Sequence, residues 1–163
     1  VRFAVAKKIV ERAADFGKTI RPEQLPILTF VYVAETEERA RQEYLPHLQS
    51  FFGDYMRTTP QYLAPPGYLS VDQLKIRAAG ADKMHGGFDF DLLSKSFFIA
   101  VGTPEKVANQ LGQWAEWMGS NHINAVMHIA DMPYWKTVMN LTLFAEEVMP
   151  RLRKGAPQQI AAE

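Results

Sequence analysis

The stretch Pro26-Ile27-Leu28-Thr29-Phe30-Val31-Tyr32-Val33-Ala34-Glu35 decides the fold class. Between the proline and the glutamate no residue is charged, and nearly all are apolar, aromatic or β-branched. A half-exposed strand alternates polar with apolar positions. A near-continuous run of this length instead suits a strand buried on both faces, as in a parallel sheet covered by helices. A helix start follows directly. Thr36 can cap it, and Glu37 and Glu38 put negative charge at the positive end of the helix dipole. Ala40, Tyr44 and Leu48 continue at four-residue spacing. Pro46 lacks an N–H and crowds the preceding turn, so it is expected to break or kink this helix.

Upstream, Val5, Ala6, Ile9, Val10, Ala13 and Phe16 form an apolar helical stripe that Gly17 can end. Downstream, Phe97 to Val101 reads as a second strand. Gly102-Thr103-Pro104-Glu105 then reads as a helix entry, with Thr103 as cap and Pro104 in the first helical position. Val107, Ala108, Leu111, Trp114, Ala115 and Met118 share one face of that helix, and Gly119 ends it. Ile123 to Ile129 is the third strand. A last helix starts near Met132-Pro133, with Val138, Leu141, Ala145, Val148 and Leu152 as its stripe. The irregular, aromatic middle, about Phe51 to Ser96, reads as a lid or a structural excursion, with a short helix in Val71 to Ala79.

Strands alternating with helices imply an α/β class with parallel pairing and right-handed crossovers. Three strands alone would leave open sheet edges. The 163 residues carry 18 Lys+Arg against 18 Asp+Glu and no Cys. Zero net charge argues against a nucleic-acid or anionic-membrane partner. The lack of cysteine excludes disulfides, thiolate nucleophiles and thiolate metal sites. No apolar run approaches the ~18 residues of a membrane-spanning helix. The chain begins Val1-Arg2-Phe3 with neither Met nor a signal peptide, so we expect part of a longer, cytoplasmic protein.

No dinucleotide fingerprint or phosphate-loop lysine is present. The Gly102-Thr103 turn can serve as a plain helix cap or present N–H groups to an anion. His47, His85, His122 and His128 lack metal-ligand spacing, so no metal is expected. His128 lies near a strand's C-terminal end, where sites of parallel α/β barrels collect. His128 with Asp131 suggests a base and its orienting carboxylate. Nothing marks a nucleophile turn.

Val101-Gly102-Thr103-Pro104-Glu105-Lys106-Val107-Ala108-Asn109-Gln110-Leu111 belongs to an ordered set. With it go the strand Ile123 to Ile129, Met132-Pro133, and Leu143-Phe144-Ala145-Glu146-Glu147-Val148-Met149-Pro150-Arg151-Leu152. The set resembles the C-terminal part of bacterial-luciferase-like flavin monooxygenases. Val31 to Ala40 and Pro65-Pro66-Gly67-Tyr68-Leu69-Ser70 are similar to the preceding part of the same family. The resemblance runs from the first helix to about Arg153.

It implies an α/β fold that is the C-terminal portion of a (β/α)8 TIM barrel, with residues 1–153 in the barrel and 154–163 a flexible tail. Ile27 to Ala34 would be the sixth strand, Phe97 to Val101 the seventh and Ile123 to Ile129 the eighth. Residues 51–96 would be the insertion, or lid, after the sixth strand. The family uses reduced FMN, in some branches a deazaflavin, with oxygen and a small-molecule substrate. A flavin reductase and a homo-oligomer are the further expected partners. On this mapping Phe30 and Tyr32 form the pocket wall, Tyr68 belongs to the lid, and His128 with Met132 sits at the mouth. Gly102 and Thr103 offer the anion-binding helix start, and no catalytic acid or base is assigned. Sulfonate-oxidising relatives carry an Arg and a His where this chain has Leu28 and Phe30, so a more apolar substrate is expected. A non-catalytic flavin-binding relative and a purely structural or assembly module remain as alternatives.

Overall fold

A computed structural model describes residues 2–55, 67, 69–75, 90–95 and 98–155. Helix α1 (Arg2–Asp15) leads through a 3-10 turn (Pro22–Gln24) to strand β1 (Ile27–Val33). Helix α2 (Glu37–Ser50) follows and runs on as a π-helical stretch (Phe51–Tyr55). After a short helix α3 (Phe90–Lys95) come β2 (Ile99–Gly102), α4 (Pro104–Met118) and β3 (Ile123–Val126). The described chain ends in α5 (Tyr134–Leu143), a π-helical stretch (Phe144–Val148) and α6 (Met149–Gly155). Residues 71–75 are helical, and the rest of the helix expected to Ala79 lies outside the described residues.

The helix ends follow the local chemistry read above. Thr36 Oγ1 accepts from the Arg39 N–H at 3.1 Å, and Thr103 Oγ1 from the Lys106 N–H at 3.3 Å. Gly119 closes α4 in the left-handed conformation, φ 60°. Pro46 does not break α2. Tyr44, His47 and Leu48 around it are buried, and that packing offsets the hydrogen bond the proline cannot make.

The sheet is parallel, and β1 is its centre, in the order β2-β1-β3. Phe30 to Val33 pair with Ile99 to Gly102, whereas Ile27 to Phe30 pair with Ile123 to Val126. Alternate residues of β1 face opposite helix layers. Ile27, Val31 and Val33 pack with Val107, Leu111, Trp114 and Val148 of the α4 side. Tyr32 and Ala34 pack with Ala40, Tyr44 and Leu48 of α2. The parallel α/β arrangement is that expected of the C-terminal portion of a (β/α)8 barrel, here with β1 in the middle of the three strands and helices on both faces. The longest and most apolar strand takes the position that pairs both its edges and covers both its faces.

Two smaller departures concern the apolar stripes. Of the first stripe, Ile9, Val10 and Phe16 stay exposed and, among the described side chains, only Ala6 is buried; α1 packs at its side on α4. On the last helix Val138, Leu141 and Ala145 are exposed, while Asn140 and Val148 are buried. The π-helical stretch between them adds a residue to the turn and shifts the inward face. Finally, β3 stops at Val126, short of the expected Ile129.

Candidate functional site

In open α/β sheets, ligands bind outside the carboxyl ends of the strands, where the strand order reverses and neighbouring loops leave for opposite faces. Here the chain goes from β1 to β2 and then returns past β1 to β3. The reversal therefore falls between β1 and β3. Beyond Phe30 and Val126 the two strands no longer pair, and a side chain takes over. Asn140 of α5 is wholly buried there. Its Oδ1 accepts from the Val33 N–H at 2.9 Å, and its Nδ2 donates to Val31 O at 2.9 Å and Met127 O at 3.1 Å. These bonds satisfy strand groups that β3 leaves unpaired.

The loop after β3 folds over towards α2. Ala130, at φ 47°, turns the chain so that Ile129 and Met132 enter the α2-side core and Asp131 faces outward. Asp131 meets His47 of α2, with Oδ1 at 2.9 Å from Nδ1. The other ring nitrogen, Nε2, lies 3.1 Å from Lys136 Nζ, which also donates to Glu43 O at 2.9 Å. An ammonium can only donate, so Nε2 must accept, and Nδ1 then carries the proton given to Asp131. The bond from His47 holds the exposed Asp131 carboxyl below the usual carboxylate range.

A second set adjoins it. Glu43 accepts from Tyr32 Oη at 2.7 Å and from Arg39 Nε at 2.8 Å, and Arg39 also reaches Glu35. Partial burial alone would raise the Glu43 carboxyl. The bonds from Arg39 and Tyr32 and the charges of Arg39 and Lys136 outweigh it and lower it. Burial, with the Glu43 bond and charge, raises the Tyr32 phenol, so it keeps its proton. Tyr32 stacks on Tyr44 at 4.9 Å between ring centroids. The Tyr44 hydroxyl is buried without a hydrogen-bond partner among the described residues.

Of the residues expected from the sequence, Tyr32 and Met132 come together on the α2-side core. Phe30, only partly buried, packs against the same core in an aromatic cluster with Phe51, Phe52 and Phe98 at 5.5–5.7 Å. Leu28, on the same face, is 54% exposed. Tyr68 lies outside the described residues. The pairing of His128 with Asp131 is corrected. His128 is exposed and bonds Thr137 Oγ1 at 2.7 Å, because the turn at Ala130 sends Asp131 to α2 instead. His47, Glu43 and Lys136 were not singled out as a site. His47 and Glu43 lie four residues apart on one face of α2, but nothing local marks their partners.

Gly102 and Thr103 open α4 as expected, yet a carboxylate of the chain already covers that end. Glu37 Oε1 lies 3.5 Å from the Thr103 N, and Glu37 pairs with Lys106. A flavin phosphate would have to displace the Glu37 carboxylate from this end, and the Tyr32 and Tyr44 rings are stacked on each other rather than open to a third ring. The described residues thus do not build a flavin site by themselves. A groove along α4, lined by Ser94, Lys106, Gln110 and Trp117 among others, lies beside the same end. Among the described residues no His, Asp or Glu cluster could hold a metal, and no helix is long and apolar enough to cross a membrane.

A family model described as luciferase-like monooxygenase matches residues 4–121. No curated protein matches the chain significantly. Several solved structures are similar in fold. Monooxygenase RslO1 from Streptomyces bottropensis has a TM-score of 0.60 at 20% identity over 91% of this chain and 37% of its own. The oxygenating constituent of 3,6-diketocamphane monooxygenase from Pseudomonas putida, a type II Baeyer–Villiger enzyme in complex with FMN, has a TM-score of 0.54. Its identity is 21%, over 89% of this chain and 38% of its own. The long-chain alkane monooxygenase LadA has a TM-score of 0.52 at 20% identity, over 99% and 36%. The chain thus spans well under half the length of these structures.

Proposed function

Because the chain belongs to the luciferase-like monooxygenase family, we propose that the protein containing it is a monooxygenase that uses reduced FMN and oxygen on a small apolar substrate. FMN is preferred to a deazaflavin because a structural neighbour holds FMN. In this reading the chain supplies the substrate-side wall, and the flavin contacts come from elsewhere in the protein. When bound, the reduced flavin would supply the electrons that activate oxygen. The residues of this chain would orient the substrate and keep water from the reacting groups.

The observation that carries the reading, beside the family itself, is the apolar wall Leu28–Phe30 on the same sheet face as the polar set Tyr32–Glu43. A sulfonate would meet no cation at Leu28 or Phe30. The test uses the full-length protein with reduced FMN supplied by a flavin reductase. Oxygen uptake should rise with a medium-chain aldehyde or ketone and product should form, with little response to an alkanesulfonate. Absence of flavin binding by fluorescence together with absence of product would refute the monooxygenase reading. Efficient sulfonate turnover would refute the apolar-substrate part alone. A reductase partner and a homo-oligomer are proposed on the same basis, and size measurement on the full-length protein checks the second.

A further inference from the structure

We propose that Lys136 is the group that receives the polar end of the ligand, a neutral oxygen acceptor such as a carbonyl on an otherwise apolar molecule. The inference rests on the function proposed above and names the residue that would read the substrate's oxygen.

Four observations place this role on Lys136. It lies in the first turn of α5, the helix whose Asn140 bonds the β1 edge at the strand-order reversal, where an open α/β sheet takes its ligand. It is only partly buried, at the start of α5, beside the exposed Trp135 ring, whose centroid is 5.8 Å from Nζ. Its ammonium is held on two sides, by Glu43 O and by His47 Nε2. Finally, an ammonium has three N–H groups, and the third has no acceptor among the described residues. His47 and Asp131 act through Lys136 as positioning residues. Asp131 holds the Nδ1–H tautomer of His47, and that tautomer turns the lone pair of Nε2 towards Nζ.

The charge balance selects the ligand. Two carboxylates, Glu43 and Asp131, act on the ammonium, and Arg39 is bound to the first of them. Two carboxylates against the two cations Arg39 and Lys136 leave no surplus positive charge to hold a full anion. A neutral carbonyl oxygen needs one donor and brings no charge. It matches the single remaining N–H and leaves its hydrocarbon part for the exposed Trp135 ring beside Nζ.

The test compares 2-octanone, octane and octanoate as ligands of the full-length protein, with dissociation constants read from tryptophan fluorescence. Lys136→Met should weaken 2-octanone binding by roughly tenfold or more, as expected for a lost hydrogen bond from a charged donor. Octane binding should stay unchanged. Lys136→Arg, which keeps a charged donor, should recover part of the loss, and circular dichroism confirms that both variants fold. Unchanged 2-octanone affinity in a folded Lys136→Met variant overturns the proposal. Tighter binding of octanoate than of 2-octanone by the unaltered protein overturns the choice of a neutral oxygen. Lys136-dependent 2-octanone binding without any oxygenation would sustain this inference and sink the monooxygenase reading, so the two fail separately.

Discussion

Replacing Asn140 by Leu tests how the sheet is held together at its reversal point. The substitution keeps the side chain's approximate shape and removes its three hydrogen bonds, which leaves Val33 N–H, Val31 O and Met127 O unpaired. Val31 and Val33 are fully buried, so water cannot replace those partners, whereas Met127 is only half-buried. An unsatisfied buried group costs about 1–3 kcal/mol, so two of them cost about 4 kcal/mol. The gain from burying the leucine offsets about 1.5 kcal/mol of this. The net loss is about 2.5 kcal/mol, against a total stability on the order of 5–15 kcal/mol. For a chain of this size it lowers the melting temperature by roughly 5–10 °C. Urea unfolding should show a lower midpoint with an unchanged slope, and amide exchange at Val33 should accelerate. Asn140→Asp keeps the acceptor for Val33 but turns a doubly used donor into an oxygen facing two carbonyls. It should therefore be less stable than Asn140→Leu. A leucine variant within 0.5 kcal/mol of the unaltered protein (roughly the limit for substitutions that touch no such feature) would show that these bonds do not hold the edge.

The remaining predictions concern the polar sets around it. The Glu43 carboxyl is lowered in the folded state, so its contribution is present above the unfolded value of about 4.3 and is lost as pH falls through the lower folded value. Urea midpoints between about pH 3 and 6 should fall less steeply in acid for Glu43→Gln than for the unaltered protein; parallel curves would refute this. Nitrogen-15 shifts of the His47 ring at neutral pH should report the Nδ1–H tautomer, the less common one for a free imidazole, and Asp131→Asn should weaken that preference. At Gly102 an added Cβ would lie 2.8 Å from Glu37 Oε1 and Lys106 Cδ. Gly102 also sits at φ 154°, where a side chain is strained, so Gly102→Ala should lose about 1–3 kcal/mol in thermal or urea unfolding, with the Glu37–Lys106 pair displaced.

Features set by neighbours in sequence were legible from the chain. The run Ile27 to Val33 announces a doubly covered strand, and Thr36, Thr103 and Gly119 cap the helices they were expected to cap. What escaped depends on distant partners. His47 and Asp131 are 84 residues apart, and Asn140 and Val33 are 107 apart. His128 looked like the partner of Asp131 because three residues separate them, but a left-handed turn at Ala130 outweighs that proximity. The stripe from Val138 to Leu152 assumed an unbroken 3.6-residue period, and one π-helical stretch shifts it. Strand order was not legible either. β2 and β3 are both four-residue strands, and their patterns do not say which edge of β1 each will take.

The short β3 and the buried Asn140 are two sides of one arrangement, and together they account for where the polar set lies. Had β3 continued to Ile129, its backbone would have paired Val31 and Val33 directly, and Asn140 would have had no groups to satisfy. Residues 127 to 129 would then have been strand, with alternate side chains on opposite faces. Ile129 and Met132 could not both have reached the α2-side core, and Asp131 could not have met His47. Ending the strand at Val126 exposes two β1 backbone groups, which Asn140 covers. It frees the loop to cross towards α2, and the crossing sets Lys136 between Glu43 and His47 with one N–H to spare. The buried amide thus satisfies the cut strand edge, and the cut strand lets an ammonium of the same helix reach α2.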